Sequence, residues 1–378
     1  MSGEPLVARI AQGVSTFAAA DWDACAGRDD PFLTHDFLAA LEESGSATAA
    51  AGWRPLPVAI DGPDGRPAAV MPTYLKSHSM GEYVFDHAWA DAFERAGGTY
   101  YPKLQIAVPF TPVPGRRLLA RDPAFAPALI AAAEQIVDNN GLSSAHATFI
   151  AEAEVSLFEQ AGWLIRTDSQ FHWLNEGYRS FDDFLAALSS RKRKTIRKER
   201  SLALEGLTVE HLNGADIEER HWDAFWAFYQ DTGARKWGHP YLTRDFFSRL
   251  GERMADRVLL IFAMRGGQPI AGALNLIGKD ALYGRYWGAL TEIPHLHFEI
   301  CYYQAIEAAI DRGLQRVEAG AQGAHKLARG YRPTPTWSAH YLPDAQFRAA
   351  VKNFLAAERR AVEREITELA TFTPFRKS

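Results

Sequence analysis

The 378 residues are too many for one ordinary hydrophobic core and suit two domains. With 47% hydrophobic and 23% charged residues and no low-complexity tract, the composition excludes extended disorder. A formal net charge of -5 excludes a surface that coats nucleic acid as a whole, so any polyanion contact must come from a local cluster.

Residues 1–10 carry Glu4 and Arg9 and lack a basic-then-apolar signal pattern. The longest apolar runs, such as 258–264, are far too short to span a bilayer, so export and membrane insertion are not expected. Cys25 and Cys301 lie far apart and outside any Cys-x-x-Cys pair, which fits a reducing, cytoplasmic setting without structural zinc or redox chemistry.

In chain order, residues 57–60 read as a short strand, followed by a Gly-Pro-Asp-Gly turn and a second run over 67–75. An aromatic stretch, 83–101, leads to a strand over 104–108, flanked by Tyr100-Tyr101-Pro102-Lys103 and by the proline-rich segment 109–117. Arg116 and Arg117 close that segment just before an expected helix, a place suited to phosphate, although the prolines alone would also shape a rigid connection. An alanine-rich helix over 127–139 is stopped by Gly141, then come a strand over 145–150 and a helix over 152–160.

The same order recurs in the second half. A strand over 259–264, a Gly-Gly turn and a run over 269–277 align Pro67 with Pro269; then follow the aromatic stretch 283–287 with Arg285, a helix over 298–312 stopped by Gly313, and a strand over 316–319. Hairpin, strand, helix, strand is the order of an acetyltransferase-type mixed sheet, so the chain reads as α/β (α+β mixed sheet), duplicated, with domains at 1–165 and 166–378. Between the halves, Ser180 and Asp183 form a capping box that opens a helix. It leads into residues 191–200, where Arg191, Lys192, Arg193, Arg197 and three further cations face only Glu199. Such a run suits a phosphate-rich ligand, or a solvated helix end. A helix over 220–230 is followed by an expected loop bearing Arg235, Lys236, Trp237 and His239, and residues 345–371 read as a closing helix in the second domain.

Two sets of residues carry chemistry. Residues 320–333 form a glycine-punctuated turn in which His325, Lys326, Arg329 and Arg332 suit phosphate or a developing oxyanion. His295, His297 and Glu299 read as helix-entry residues or as acid–base groups, since histidine titrates near neutrality. His295, His297 and Glu299 would need a further protein ligand to hold zinc, and nothing nominates one, so no metal is expected. Gly-x-Ser-x-Gly, P-loop and Gly-x-Gly-x-x-Gly motifs are missing, leaving hydrolase, NTPase and dinucleotide readings without their usual markers.

At Tyr100-Tyr-Pro-Lys-Leu104, Pro109-Phe-Thr-Pro-Val-Pro-Gly115, residues 191–200, residues 295–304 and residues 318–326, the chain resembles the Fem-like group of N-acyltransferases, described as peptidoglycan biosynthesis or recognition proteins of the acetyltransferase (GNAT) superfamily. The resemblance covers nearly the whole chain. It implies two tandem GNAT-like domains from an internal duplication plus a C-terminal helix, and an amine attacking an acyl ester or thioester. Aminoacyl-tRNA or acyl-coenzyme A would be the co-substrate, with no tightly bound cofactor, and a small molecule or muropeptide the amine acceptor. Glu318 or His297 would take the proton, Lys326 with nearby amides would hold the oxyanion, and Arg191, Lys192, Arg193 and Arg197 would steer RNA or nucleotide phosphates. Neither half shows the Gln/Arg-x-x-Gly-x-Gly/Ala loop by which acetyltransferases usually hold coenzyme A.

Overall fold

The structure is a computed structural model that describes residues 6–236, 240–320 and 323–376. It divides into two compact units: Met1–Asp168 with Pro335–Glu363, and Ser169–Thr334 with Arg364–Ser378.

In the first unit the chain forms β1 (Ala8–Ile10), α1 (Ala19–Ala26), α2 (His35–Glu43), β2 (Trp53–Pro55), β3 (Val58–Asp61), β4 (Pro67–Met71) and β5 (Thr73–Lys76). The run expected over 67–75 is therefore broken at Pro72, which cannot donate to a ladder. β4 stays in a small sheet, between β3, itself beside β1, and the strand Leu119–Ala120, while β5 joins the main sheet. There follow α3 (His87–Arg95), β6 (Lys103–Ile106), β7 (Leu119–Ala120), α4 (Ala126–Asn140), β8 (Ala145–Ile150) and α5 (Glu152–Gln160). The main sheet of this unit runs β2-β5-β6-β8 and ends on Trp337–Tyr341, which pair antiparallel with β8. Gly141 ends α4 with φ 60° in the left-handed region that glycine adopts without strain. Apolar residues of α4 and of β3, β4, β6 and β8 form the core.

β9 (Leu164–Leu174) carries the chain into the second unit, which contains α6 (Phe181–Ala187), α7 (Ser190–Ala203), β10 (Thr208–Leu212), α8 (Glu219–Lys236), α9 (Arg244–Met254), β11 (Val258–Arg265), β12 (Gln268–Ile277) and β13 (Ala281–Ala289). Next come α10 (Leu296–Phe298), a π-helical turn (Glu299–Tyr303), α11 (Gln304–Asp311), β14 (Arg316–Glu318) and β15 (Arg332–Tyr341), and α12 (Ala345–Ala370) closes the fold. The sheet order in this unit is β10-β11-β12-β13-β14-β9. In each unit one parallel pair, β6 with β8 and β13 with β14, is joined through a helix, the relation the internal repeat predicts.

Two expectations are corrected here. Residues 335–363, placed by sequence in the second domain, pack with the first unit: Phe347, Val351 and Leu355 of α12 join Trp89 and Tyr100 in one cluster. Residues 298–312 are not one regular α-helix but are interrupted by the π turn. A close approach also fixes Gly288 of β13. A Cβ there would lie 2.1 Å from the Phe228 carbonyl oxygen of α8. Gly288→Ala must therefore push α8 off the sheet, and thermal unfolding is expected to show a loss of about 1–3 kcal/mol or more.

Candidate functional site

β13 and β14 run parallel only from Ala281↔Arg316 to Tyr283↔Glu318. β14 then stops, whereas β13 continues to Ala289, so a wedge opens beyond Tyr283 and Glu318. A register shift against β12 pairs Leu274 with Tyr286 and Asn275 with Gly284, leaving Arg285 as the extra residue of a β-bulge. Bulges re-aim side chains and are common beside active sites. Here Arg285 lines a cavity of about 100 Å³ with Asn275, Gly284, Tyr286, Trp287, His297, Cys301, Tyr302 and Ala319. A second cleft, of about 320 Å³, shares Trp287 and His297 and is lined also by Thr232, Ile293 and Leu296.

His297 is thus the one sequence-nominated base that lines both spaces. Its position follows from the local backbone: His295 takes a left-handed φ of 65° and turns the chain into α10. The imidazole packs 5.4 Å from the Trp287 ring and 5.2 Å from Tyr302, centroid to centroid. The Tyr302 hydroxyl in turn meets His325 Nε2 at 3.0 Å. Burial, then the nearby Arg329, pulls the His325 pKa down, which favours a neutral ring.

Glu318 is buried. Arg316 Nε donates to its Oε1 at 2.8 Å, and His172 Nε2 stands 3.7 Å from Oε2, which has no hydrogen-bond partner among the described residues. Burial lowers the His172 pKa although Glu318 opposes this. Lys326, 2% exposed, donates to the carbonyls of Ala319 (2.6 Å) and Gly320 (2.9 Å). Burial brings its pKa down to about 8. Lys326 therefore braces the end of β14 rather than presenting a bare ammonium to an oxyanion.

The basic helix α7 has two faces. Ile196 and Ala203 are buried, Glu199 binds Arg329 (2.8 Å) and the Tyr303 hydroxyl, and Arg200 binds Glu299 (3.0 Å) and Glu307 (2.8 Å). These contacts fasten α7 to the π turn; Arg329 also lies 3.4 Å over the Phe298 ring. Arg191, Lys192, Arg193 and Lys194 occupy the first turn with no acidic residue there, against the helix dipole. Arg197 makes an exposed pair with Asp182 at 3.2 Å, and Arg332 pairs with Glu176 at 2.7 Å.

Of the first-unit candidates, Lys103 and Arg117 are buried, Tyr101 is half-buried and Arg116 is exposed. Lys103 is fully buried and donates to Ser79 (2.8 Å), Glu82 (2.7 Å) and Asp86, and the Tyr101 hydroxyl meets Ser79 at 2.8 Å. Arg117 gives its guanidinium to the carbonyls of Thr148, Arg116 and Val113, and Arg116 gives its own to Cys25 and Ala26. No helix follows them directly; β7 does, and α4 begins only at Ala126. Tyr101, Lys103 and Arg117 hold the fold instead of facing a phosphate, while Arg116, although exposed, ties one guanidinium nitrogen to the end of α1. Lys236 ends α8 rather than lying on a loop, its side chain and that of Arg235 lie outside the described residues, and so do Trp237 and His239. Among the described residues no group of three or more His, Cys, Asp or Glu is arranged to hold a metal, and no helix is long and apolar enough to cross a membrane.

Sequence reasoning missed Asn275, which is fully buried, with Oδ1 unpartnered among the described residues. The available signal was one amide inside the apolar run 269–277.

Residues 13–377 match the FemAB-like family, described as peptidoglycan biosynthesis/recognition. No curated protein matches the sequence. The fold is similar to FemX (TM-score 0.56, 12% identity, 89% of this chain and 98% of that one). It is also similar to the C-terminal domain of a putative lysylphosphatidylglycerol synthetase from Agrobacterium fabrum (0.55, 10%, 90% and 95%) and to L-PGS from Bacillus licheniformis (0.50, 11%, 93% and 99%). At these identities the likeness establishes the fold alone, a mixed α/β sheet in each unit.

Proposed function

This chain belongs to the FemAB-like peptidoglycan biosynthesis/recognition family, an acyltransferase family, and from that premise we propose that its second unit acylates an amine at the wedge between β13 and β14. The observation that carries the reading is the cavity itself. It opens where two parallel strands part, and it brings His297, the bulged Arg285 and the unpartnered Asn275 amide oxygen together. An acyl ester or thioester seated there would place its carbonyl oxygen near Arg285, whose cation suits the negative charge of a tetrahedral intermediate. His297 would take the proton of the attacking ammonium. Glu318, whose carboxylate is already held by Arg316 beside His172, supports the strand end from behind.

For the donor we favour a phosphate-bearing carrier of the aminoacyl-tRNA kind, because α7 offers Arg191, Lys192, Arg193 and Lys194 on one turn while its inner side is tied to the π turn. Acyl-coenzyme A is the alternative carrier, and a small molecule or a muropeptide amine is the acceptor. Reversing the charge at these four positions is expected to weaken tRNA binding and to reduce its salt dependence, since each lost phosphate contact removes about 0.7–0.9 from the logarithmic slope. Filter binding across a salt series reads this directly, and an unchanged slope would reject α7 as the contact. The overall reaction is tested by mass spectrometry of the purified chain mixed with aminoacyl-tRNA or acyl-coenzyme A and an amine-bearing muropeptide precursor. Amide product formed over many turnovers supports acylation, whereas binding without turnover leaves a recognition protein.

A further inference from the structure

Cys301 sits in the middle of the π turn and lines the same cavity as Asn275, Arg285 and His297. It is a half-buried thiol outside any disulfide. Direct transfer from donor to amine needs no such group, and the mechanism above does not use it.

Two independent features give this thiol a setting. The first is Asn275, 0% exposed: its Nδ2 donates to the Leu259 carbonyl at 3.3 Å, while Oδ1 has no partner among the described residues. A Cβ on Gly284 would stand 3.5 Å from that Oδ1, so the amide oxygen faces the glycine that also lines the cavity. A buried acceptor without a donor costs about 1–3 kcal/mol, and a ligand N–H or O–H in the cavity would offset that cost. The second is Lys326, buried and near enough to Cys301 for the two charges to act on one another. A neighbouring ammonium favours the thiolate, the nucleophilic form of cysteine. The π turn adds a residue to the helical repeat, and such turns recur at functional sites.

We propose that Cys301 accepts the acyl group covalently before the amine does, so that the transfer proceeds through a Cys301 thioester. This inference rests on the acylation reading above. In the first step Cys301 Sγ attacks the donor carbonyl carbon. The S–C bond forms, the donor's C–O bond (or C–S bond in a thioester) breaks, and the thiol proton passes by way of His297 to the departing alcohol or thiol. In the second step the acceptor amine attacks the thioester carbon. The C–N bond forms, the C–S bond breaks, and the proton lost by the amine returns to the Cys301 thiolate. No oxidant or further reactant is consumed, and the enzyme is regenerated.

The test uses the full chain with acetyl-coenzyme A and, separately, with the alanyl thioester of N-acetylcysteamine, each without an amine. The expected result is one acyl group per chain, mapped to the peptide that contains Cys301, released by neutral hydroxylamine and by the acceptor amine. Cys25→Ala should keep the adduct. Cys301→Ala should lose it and lower turnover roughly 100-fold or more, and Cys301→Ser should form a slower, hydroxylamine-resistant ester. Unchanged thermal unfolding of both variants excludes misfolding as the cause. Amide formation by Cys301→Ala within a few-fold of the parent protein would overturn the intermediate and leave direct acylation standing. Absence of both adduct and amide in the parent protein, with these donors and with aminoacyl-tRNA, would overturn both.

Discussion

His297→Ala is expected to reduce kcat by roughly two to four orders of magnitude, the usual contribution of a positioned acid–base group, with a much smaller change in KM. The reasoning is geometric: His297 lines both the wedge cavity and the larger cleft beside it, between the Trp287 and Tyr302 rings. A residue that only packed the cleft wall would act on KM and stability instead. Added imidazole separates the cases, since it restores turnover only if a missing proton acceptor is the defect. His297→Ala with unchanged kcat would move the base elsewhere, and Glu318→Gln is the variant to compare.

The second large effect lies in the first unit, which should lose stability steeply on acidification. Lys76 and Lys103 are direct cross-strand partners on β5 and β6, both fully buried, and the segment between β5 and α3 covers them with Glu82 and Asp86. Tyr100 donates to Asp86 at 2.7 Å, and His146 joins the cluster through Tyr100 (3.2 Å), Ser144 (2.8 Å) and His340 (2.7 Å). Burial, then Lys103, takes the His146 pKa down to about 3, and burial, then His146, holds His340 well below its usual value. Burial would raise Asp86, but Lys103 and then His146 hold its carboxyl well below the ordinary range.

The sign of the effect is the same for these groups. Between pH about 6.5 and 3 the unfolded chain protonates a histidine that the folded chain keeps neutral, so stability is present above 6.5 and is lost as pH falls towards 3. For Asp86 the loss comes lower, below the unfolded carboxylate range. A displacement of His146 from 6.5 to about 3 corresponds to at most about 5 kcal/mol at the acid end. Glu82, raised to about 7 chiefly by burial, acts with the opposite sign, because the folded chain takes up its proton first and gains stability as pH falls from about 7 towards 4.5, one group against two buried histidines. Lys76, lowered to about 7 chiefly by burial, loses its contribution already above neutrality. Denaturant titrations from pH 7 to 4 should therefore show the midpoint falling, and His146→Gln should flatten that fall. An equal fall in His146→Gln would show that His146 does not drive the acid loss.

Much of this molecule was written in local sequence. Glycine stops at 141 and 313, the Ser180 cap and the repeated hairpin order depend on neighbours only a few residues apart, and the structure realises each of them. The polarity of α7 was equally legible. What residues 100–103 and 116–117 do was not, because their partners come from elsewhere: Glu82 and Asp86 reach Lys103 from the segment between β5 and α3, and distant carbonyls take up both arginines. A lysine in Tyr-Tyr-Pro-Lys reads the same whether it meets solvent or two buried carboxylates, since burial is a property of register and packing. The same holds for residues 335–363, whose helical pattern gives their structure but not the unit they join. The wedge is the sharpest case. Tyr283 and Glu318 are 35 positions apart, and only strand pairing decides that they are opposite one another, that β14 ends there, and that Asn275 is left facing the space beyond. Short-range stereochemistry fixed the elements of this chain, whereas the placement of its charges and of its cavity required the long-range contacts that only the folded chain supplies.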